Sequence, residues 1–501
     1  MKSLFTLLLI AATTLTAQAT DYTERLLVVV NGDGTEQEAT ITVTEHDGLY
    51  DLNLKNFVLM GGDTPMPVGN VELTNMIPAK AGEAIFLQAN QNITVTNGDD
   101  TSYPFWMGPM LGELPVKLVA VLEDNQLRAL INLDLMSQMG QIVEVRFGET
   151  LVTGKGYHIP NSGFEEWHVS TDEYVEPNAW HSFESASGMF APLAGHHIEK
   201  SDNGRNGTTC ARIFSTSIFG IVANGTMTTG RMNAGSFSAT DPTNNAYLDM
   251  SKTDVDGNGD PYYVALNHRP DSLVLWVKFN QGTANTDHPY ATVSAVITDG
   301  TYYQDPEDKA YDNVVARASD HTITVTNDDW RRVSVPFVYT INSADPRAII
   351  ITISTNADAG EGSDGDEVLV DDITLVYNSR LKSLNVEGFD PNKFDYELDN
   401  EQSFAQLAPQ TDANEAYLLQ TLESGAETSK AIITVYSADL LSNTTYTIKF
   451  KNSASGVAEL KSAQNEADTY YSLGGQQVIA PRSGEIYVVR RSDGSTVKIR
   501  R

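Results

Sequence analysis

From about residue 20 onward, apolar and polar residues alternate with period two, interrupted by turn dipeptides, and this pattern predicts strands along most of the chain. Between Thr20 and Glu149 the run ERLLVVVNGDGTEQEATITVTEHDGLYDLNLKNFVLM predicts three strands, joined at Asn31-Gly32-Asp33-Gly34 and at Asp47-Gly48. More strands follow in GNVELTNMIPA, EAIFLQANQNITVT, PVKLVAVLEDNQLRALINLDL and IVEVRFG. About eight strands suffice to close an up-and-down barrel, which removes exposed sheet edges. Residues 156–378 hold further strands, among them DSLVLWVKFN, YATVSAVITDG, WRRVSVPFVY and PRAIIITISTN, separated by loops rich in Gly, Asn and Asp. Strands at this spacing without a helical pattern predict a β-sandwich. Residues 379–452 read as a small immunoglobulin-like sandwich, residues 453–467 as a polar linker, and residues 468–501 as a terminal β-hairpin. The expected fold class is therefore all-β.

Composition narrows the setting. A length of 501 residues gives room for three or four domains. Lys2, the apolar run LFTLLLIAATTL and the small-residue site Ala17-Gln18-Ala19 predict a secretory signal over residues 1–19. The expected location is the cell surface or the extracellular medium, with the periplasm as alternative. No later apolar run approaches the roughly 20 residues of a spanning helix, so the chain is not expected to span a membrane. Cys210 is the sole cysteine, which excludes an intramolecular disulfide. A formal charge of −33 argues against a nucleic-acid partner.

Two resemblances carry the reading further. The strand pattern of residues 20–150, with the phrase GLYDLNLKNFVL, resembles the calycin-like barrel domain at the start of many exported Bacteroidales proteins. Such a barrel implies a small apolar ligand in its mouth, where Phe57, Met60, Met66, Phe105, Trp106, Met107 and Met110 would line or plug it; filling by the barrel's own side chains is the simpler account. The series NSGFEEW, EPNAW, HRPDSLVLWVKF, WRRVSVPFVY and VDDITLVY resembles the carbohydrate metabolism domain of Bacteroidales proteins, which implies a jelly roll akin to carbohydrate-binding modules. The closing stretch, TYYSLGGQQVIAPRSGEIYVVRRSDGSTVKIRR, resembles C-terminal sorting segments.

The jelly-roll resemblance implies that Gly163 and Glu165 near the first strand meet Asp371 and Asp372 on the last, an oxygen set suited to structural calcium. A weaker calcium candidate is DVDGNGD, where Asp254, Asp256 and Asn258 follow the first half of a calcium loop; position twelve is Ala265, so its bidentate Glu is missing. Sugar binding needs an exposed aromatic face beside polar side chains. In DSLVLWVKF, Leu273, Leu275, Val277 and Phe279 share one face, which leaves Ser272, Val274, Trp276 and Lys278 on the other. Trp276 is thus the candidate platform, with His268, Arg269, Tyr302 and Tyr303 as companions, whereas Trp167, Trp180 and Trp330 are expected to cap the core. No nucleophile elbow, zinc-protease motif or phosphate loop is present, and no catalytic residue is assigned. The sequence leaves three functions open: a non-catalytic glycan-binding protein, a glycoside hydrolase built on two carboxylates, and an adhesin or scaffold for protein partners.

Overall fold

The all-β expectation holds in the computed structural model, which describes residues 18–30, 33–61, 64–148, 159–170, 174–205, 209–340, 344–425, 427–452, 469–471, 477–478, 486–490 and 496–500. The secretory signal apart from Gln18 and Ala19, and the 453–467 linker, lie outside these residues. The described chain forms two compact units. The first comprises residues up to Leu381 with Thr411–Leu419 and Thr434–Thr444; the second comprises Lys382–Gln410, Gln420–Ile433 and the residues from Thr445 onward.

The first unit opens with nine strands: β1 (Gln18–Val30), β2 (Asp33–His46), β3 (Leu49–Gly61), β4 (Thr64–Met76), β5 (Ala79–Ala81), β6 (Ala84–Thr94), β7 (Glu113–Glu123), β8 (Gln126–Leu135) and β9 (Gln141–Phe147). They form one antiparallel meander in the order β4-β3-β2-β1-β9-β8-β7-β6-β5. Leu26, Ile41, Leu52, Val71, Leu118, Ile131 and Val145 pack within it, as alternation demands. The open edges approach where Asn70 and Thr96 exchange N–H···O bonds of 2.9 and 3.2 Å. Gly69 makes this approach possible: its φ is +125°, and a Cβ there would stand 2.0 Å from the Thr96 carbonyl oxygen.

On the outer face of β6–β8, Phe86 packs against Tyr417 and Tyr436 with ring centroids at 4.9 and 5.4 Å. Arg128 donates to the Ala438 carbonyl at 2.6 Å and to the Tyr417 hydroxyl. Two segments of the region read as an immunoglobulin-like spacer therefore belong structurally with the barrel.

The jelly roll is a sandwich. Its strands are β10 (Trp167–Val169), β11 (Val175–Pro177), β12 (Ile198–Ser201), β13 (Cys210–Phe214), β14 (Thr216–Ile218), β15 (Ile221–Ala223), β16 (Thr226–Thr228), β17 (Arg231–Ala234), β18 (Asn244–Leu248), β19 (Val264–Ala265), β20 (Ser272–Asn280), β21 (Ala291–Thr298), β22 (Tyr303–Asp305), β23 (Val314–Ile323), β24 (Arg331–Pro336), β25 (Val338–Tyr339), β26 (Ala348–Ser354) and β27 (Glu367–Val376). One sheet runs β12-β13-β27-β20-β24; the other runs β16-β26-β21-β23-β25, with β19 also on β26. Leu273, Leu275, Val277 and Phe279 face Val293, Ile297, Ile349, Ile351 and Ile353 across the core. Trp180 is fully buried 5.3 Å from Phe164, and its indole N–H donates to the Pro160 carbonyl. Cys210 is buried, and burial pushes its thiol up to about 12.

In the second unit, Asp395–Gln402 runs parallel to residues 447–452, over the buried Tyr396, Tyr446, Ile448 and Phe450. The terminal hairpin is enlarged: Thr469–Tyr471, Gln477–Val478, Ile486–Arg490 and Thr496–Arg500 form a four-stranded antiparallel sheet.

Candidate functional site

The outer face of the six-stranded sheet changes character along its strands. On β26 the outward residues run Ala348, Ile350, Thr352, Ser354, and the partner positions on β21 run Thr298, Val296, Ser294, Thr292. The small sheet β17-β18-β22 covers the apolar half, where Met232, Leu248 and Tyr303 pack on Val296, Ala348 and Ile350. The hydroxyl half is left uncovered and floors a cleft of about 390 Å³.

Across this floor Thr226 Oγ1 lies 3.3 Å from Ser354 Oγ, and Thr292 Oγ1 lies 2.7 Å from His321 Nδ1. The walls are apolar: Phe183, Phe190, Leu193, Ile218, Ile221 and Phe237. The Phe190 and Phe237 rings meet at 4.2 Å, and Phe237 remains 54% exposed. Asn244 fixes the loop that carries Phe237. Its Oδ1 accepts the N–H groups of Gly235 and Ser236, both at 3.0 Å, while its Nδ2 donates to the carbonyls of Ser236 and Ser238. Another part of the rim is the β14–β15 hairpin, turned by Phe219 and Gly220 at φ +52° and +80°. A two-residue turn matching the strand twist requires positive φ at both positions. Phenylalanine is strained there, yet its ring is 84% exposed.

The lining also holds polar atoms without protein partners. Asn224 and Asn245 both line the cleft, and the Oδ1 of each is buried and unpaired. Asp305, at the end of β22, is the one carboxylate among the described lining residues. Burial raises its pKa, opposed by a hydrogen bond from Ser294 and the charges of His321 and Arg317. The protonated form therefore persists to higher pH than in an ordinary aspartate, which lets this group donate as well as accept. Hydroxyls and amides beneath exposed aromatic edges suit a small ligand with many hydroxyls and one apolar face.

The aromatic set expected from the sequence does not converge. Trp276 does point outward, but from the other sheet, and the Arg205 guanidinium lies over its ring at 4.6 Å. His268 and Arg269 are bound by Glu415, at 3.0 Å to the imidazole and 3.1 Å to the Arg269 N–H, and Arg269 stacks on Tyr339. Tyr302 donates to Gln304, while Tyr303 is 2% exposed in the apolar cluster beneath the small sheet. These residues occupy three separate neighbourhoods because β20, β22 and the 268–269 segment serve different layers.

The first and last strands of the jelly roll are not neighbours, since β10 pairs with β11 and β27 lies between β13 and β20; it is the turn ahead of β10 that meets β27, where the Ile373 N–H donates to the Ser162 carbonyl. Gly163 is buried beside them, and Glu165 accepts from the Thr209 hydroxyl at 3.0 Å. Asp371 accepts N–H bonds from Arg205 and Asp372, both at 2.8 Å, and Asp372 is paired with the Arg205 side chain. Burial, with the charges of Asp372 and Glu165 adding to it, pushes Asp371 up to about 6. An arginine thus supplies positive charge where calcium was expected. The Asp254–Asp260 stretch does not bring its alternating oxygens together either. Asp254 is turned to Arg231 at 2.7 Å, while Asp256 Oδ1 accepts the N–H groups of Asn258 and Asp260, closing a tight turn between Val255 and Pro261.

In the barrel, Phe57 and Trp106 are buried, Met66 packs on the core, and Phe105 and Met110 are 56% and 76% exposed. Met107 is half-buried beside Pro67, whose carbonyl takes its N–H; the Met60 side chain lies outside the described residues. The residues expected to line one apolar mouth are thus distributed between core and surface. A hollow of about 510 Å³ on the barrel is mainly polar instead, lined among others by Asp21, Gln37, Glu38, Thr40, Thr42 and Asp100.

Fold and site together define an all-β protein with a ligand-sized cleft on one jelly-roll sheet. Residues 19–150 match the family described as a calycin-like beta-barrel domain. No curated protein sequence matches the chain. Among solved structures the chain is similar to the M60 catalytic domain with the CBM51-1 and CBM51-2 domains from Clostridium perfringens ZmpB, at 11% identity and a TM-score of 0.16. The match covers 97% of this chain and 44% of that one, so this chain spans less than half of its length.

Proposed function

We propose that this is an exported, non-catalytic glycan-binding protein whose jelly roll holds a short carbohydrate segment in the cleft on the six-stranded sheet. What supports this reading is the floor: Thr226, Thr292, Ser294, Thr352 and Ser354 present hydroxyls beneath the half-buried Phe190 and the exposed Phe237. Sugar hydroxyls exchange hydrogen bonds with such a floor, and the apolar face of a pyranose packs on such rings. Recognition accounts for the cleft better than hydrolysis does. Two carboxylates are needed to cleave a glycosidic bond in the usual way, and Asp305 is the one that the described lining supplies.

The test is a glycan array probed with the purified chain, with and without calcium, beside Phe237→Ala and Trp276→Ala. Binding that is lost in Phe237→Ala and kept in Trp276→Ala is the expected result. A blank array for a folded chain, or binding lost only in Trp276→Ala, would overturn the assignment to this cleft. Fractionation of the producing cell tests export separately.

A further inference from the structure

Three segments of the jelly roll bring a second group of side chains together, away from the hydroxyl floor. His168 stands on β10, His181 follows β11 and bridges to Thr228, and Asp256 and Asp260 belong to the Val255–Pro261 turn. One ligand atom from each of His168, Asp256 and Asp260 lies within 4.8 Å of the others. Asp256 Oδ2 stands 3.5 Å from His168 Nε2 and 3.4 Å from His181 Nε2.

These atoms are held in place but are not satisfied. The side chains of His181 and Asp256 are 0% exposed and that of His168 is 9% exposed. His168 Nε2, both ring nitrogens of His181 and Asp256 Oδ2 have no hydrogen-bond partner. Orphaned polar atoms at this depth are costly, and four of them in one spot call for an explanation. The surroundings aim them inward. Asn178 Oδ1, 3.1 Å from His168 Nδ1, accepts that N–H and leaves Nε2 with its lone pair. Asp256 Oδ1 is used by the turn, which leaves Oδ2 to face the imidazoles. Asp260 Oδ2 is held by the Ala179 N–H and the Asn258 amide. The Tyr262 ring packs against His181 at 4.5 Å.

The His168–Asp256 separation and the 4.8 Å span of the His168, Asp256 and Asp260 set fit a coordination sphere. Bonds of about 2.0–2.1 Å at tetrahedral angles set ligand atoms roughly 3.3–3.4 Å apart, which is long for a hydrogen bond and right for neighbours around zinc. Mixed imidazole and carboxylate donors favour zinc or a similar first-row ion, whereas calcium prefers an all-oxygen shell. From this geometry we infer that His168, Asp256 and Asp260 form a binding site for a divalent transition metal of the zinc type, with His181 beside Asp256 Oδ2. The ion ties the start of the jelly roll to the 255–261 turn, a cross-link that a chain with one cysteine cannot make through sulfur.

The test loads the purified full chain with Zn²⁺, removes free metal, and measures bound zinc by mass spectrometry, in parallel with Co²⁺ titration read by visible absorption. One retained zinc per chain is expected, with the intense ligand-field bands of tetrahedral cobalt. His168→Gln and Asp256→Asn should weaken binding by at least about 10- to 100-fold, a loss seen even for outer-shell partners, while Asp254→Asn leaves it unchanged. No retained zinc and no tetrahedral cobalt bands in the native chain would overturn the assignment even if the variants failed to fold. Calcium displacing cobalt at equal concentration would overturn it too.

Discussion

The two outer faces of the jelly roll are built from strands of one sandwich, yet they end in opposite chemical states. On the five-stranded sheet the outward groups are long and satisfy one another: Arg205 covers Trp276 and pairs with Asp372, Arg212 bridges Glu199 and Glu367, and the Lys278 ammonium sits 5.1 Å from the Trp330 ring. On the six-stranded sheet the outward groups beyond the small sheet are mostly short hydroxyl residues, with the His321 imidazole beside Thr292. The difference teaches that a tryptophan on an outer face is no platform when an arginine can reach it. Short side chains on a sheet leave a cleft only where neighbouring segments form walls.

The contrast can be broken most strongly by giving the open face a long side chain. Thr352→Trp fills the cleft floor, and glycan affinity by calorimetry should fall by more than about 100-fold, since an occupied pocket cannot bury its ligand. Chemical denaturation should show a native-like unfolding transition. Retained affinity would mean that the ligand lies elsewhere.

A smaller effect comes from opening the closed face. Arg205→Ala removes a cation–π contact and a partly exposed ion pair, which together contribute about 1–2 kcal/mol. Urea unfolding should register that loss, and the array should gain no binding at the uncovered Trp276. A new sugar signal would show that the arginine alone separates the two faces.

A further effect is a pH slope. Asp371 is held at about 6, above an unfolded value of about 3.9. A raised carboxyl contributes stability that is present below the unfolded value and lost as pH rises through the folded one. Stability from this group should therefore decline between about pH 4 and 6, by less than the ~1.4 kcal/mol per pH unit that one proton allows. Asp371→Asn should flatten that slope in pH-dependent urea titrations; an unchanged slope would assign it to another group.

Much of this architecture is legible in the sequence, because alternation fixes which residues face inward. Leu273, Leu275, Val277 and Phe279 enter the core as their spacing requires, and the barrel follows its turn dipeptides. The cleft floor is present in the same signal: the outward face of ATVSAVIT starts with Thr292 and Ser294 before Val296, and that of AIIITIS runs the other way, from Ala348 and Ile350 to Thr352 and Ser354. What the sequence does not carry is which half the small sheet covers, since β17, β18 and β22 come from separate stretches. The histidine and aspartate group was half-visible. DVDGNGD drew attention to Asp256, but its turn offers no hint that His168 and His181 fold onto it. The cover on Trp276 was hidden for a similar reason, because Arg205 lies far from it in sequence.

Cys210 carries one more consequence. A thiol that is buried and held near 12 has almost no thiolate at neutral pH, and the thiolate is the reacting species in disulfide exchange. The folded chain thus has the same covalent structure in reducing and oxidising surroundings. It has no need of an oxidase or isomerase, and it offers no sulfur through which neighbouring copies could be cross-linked.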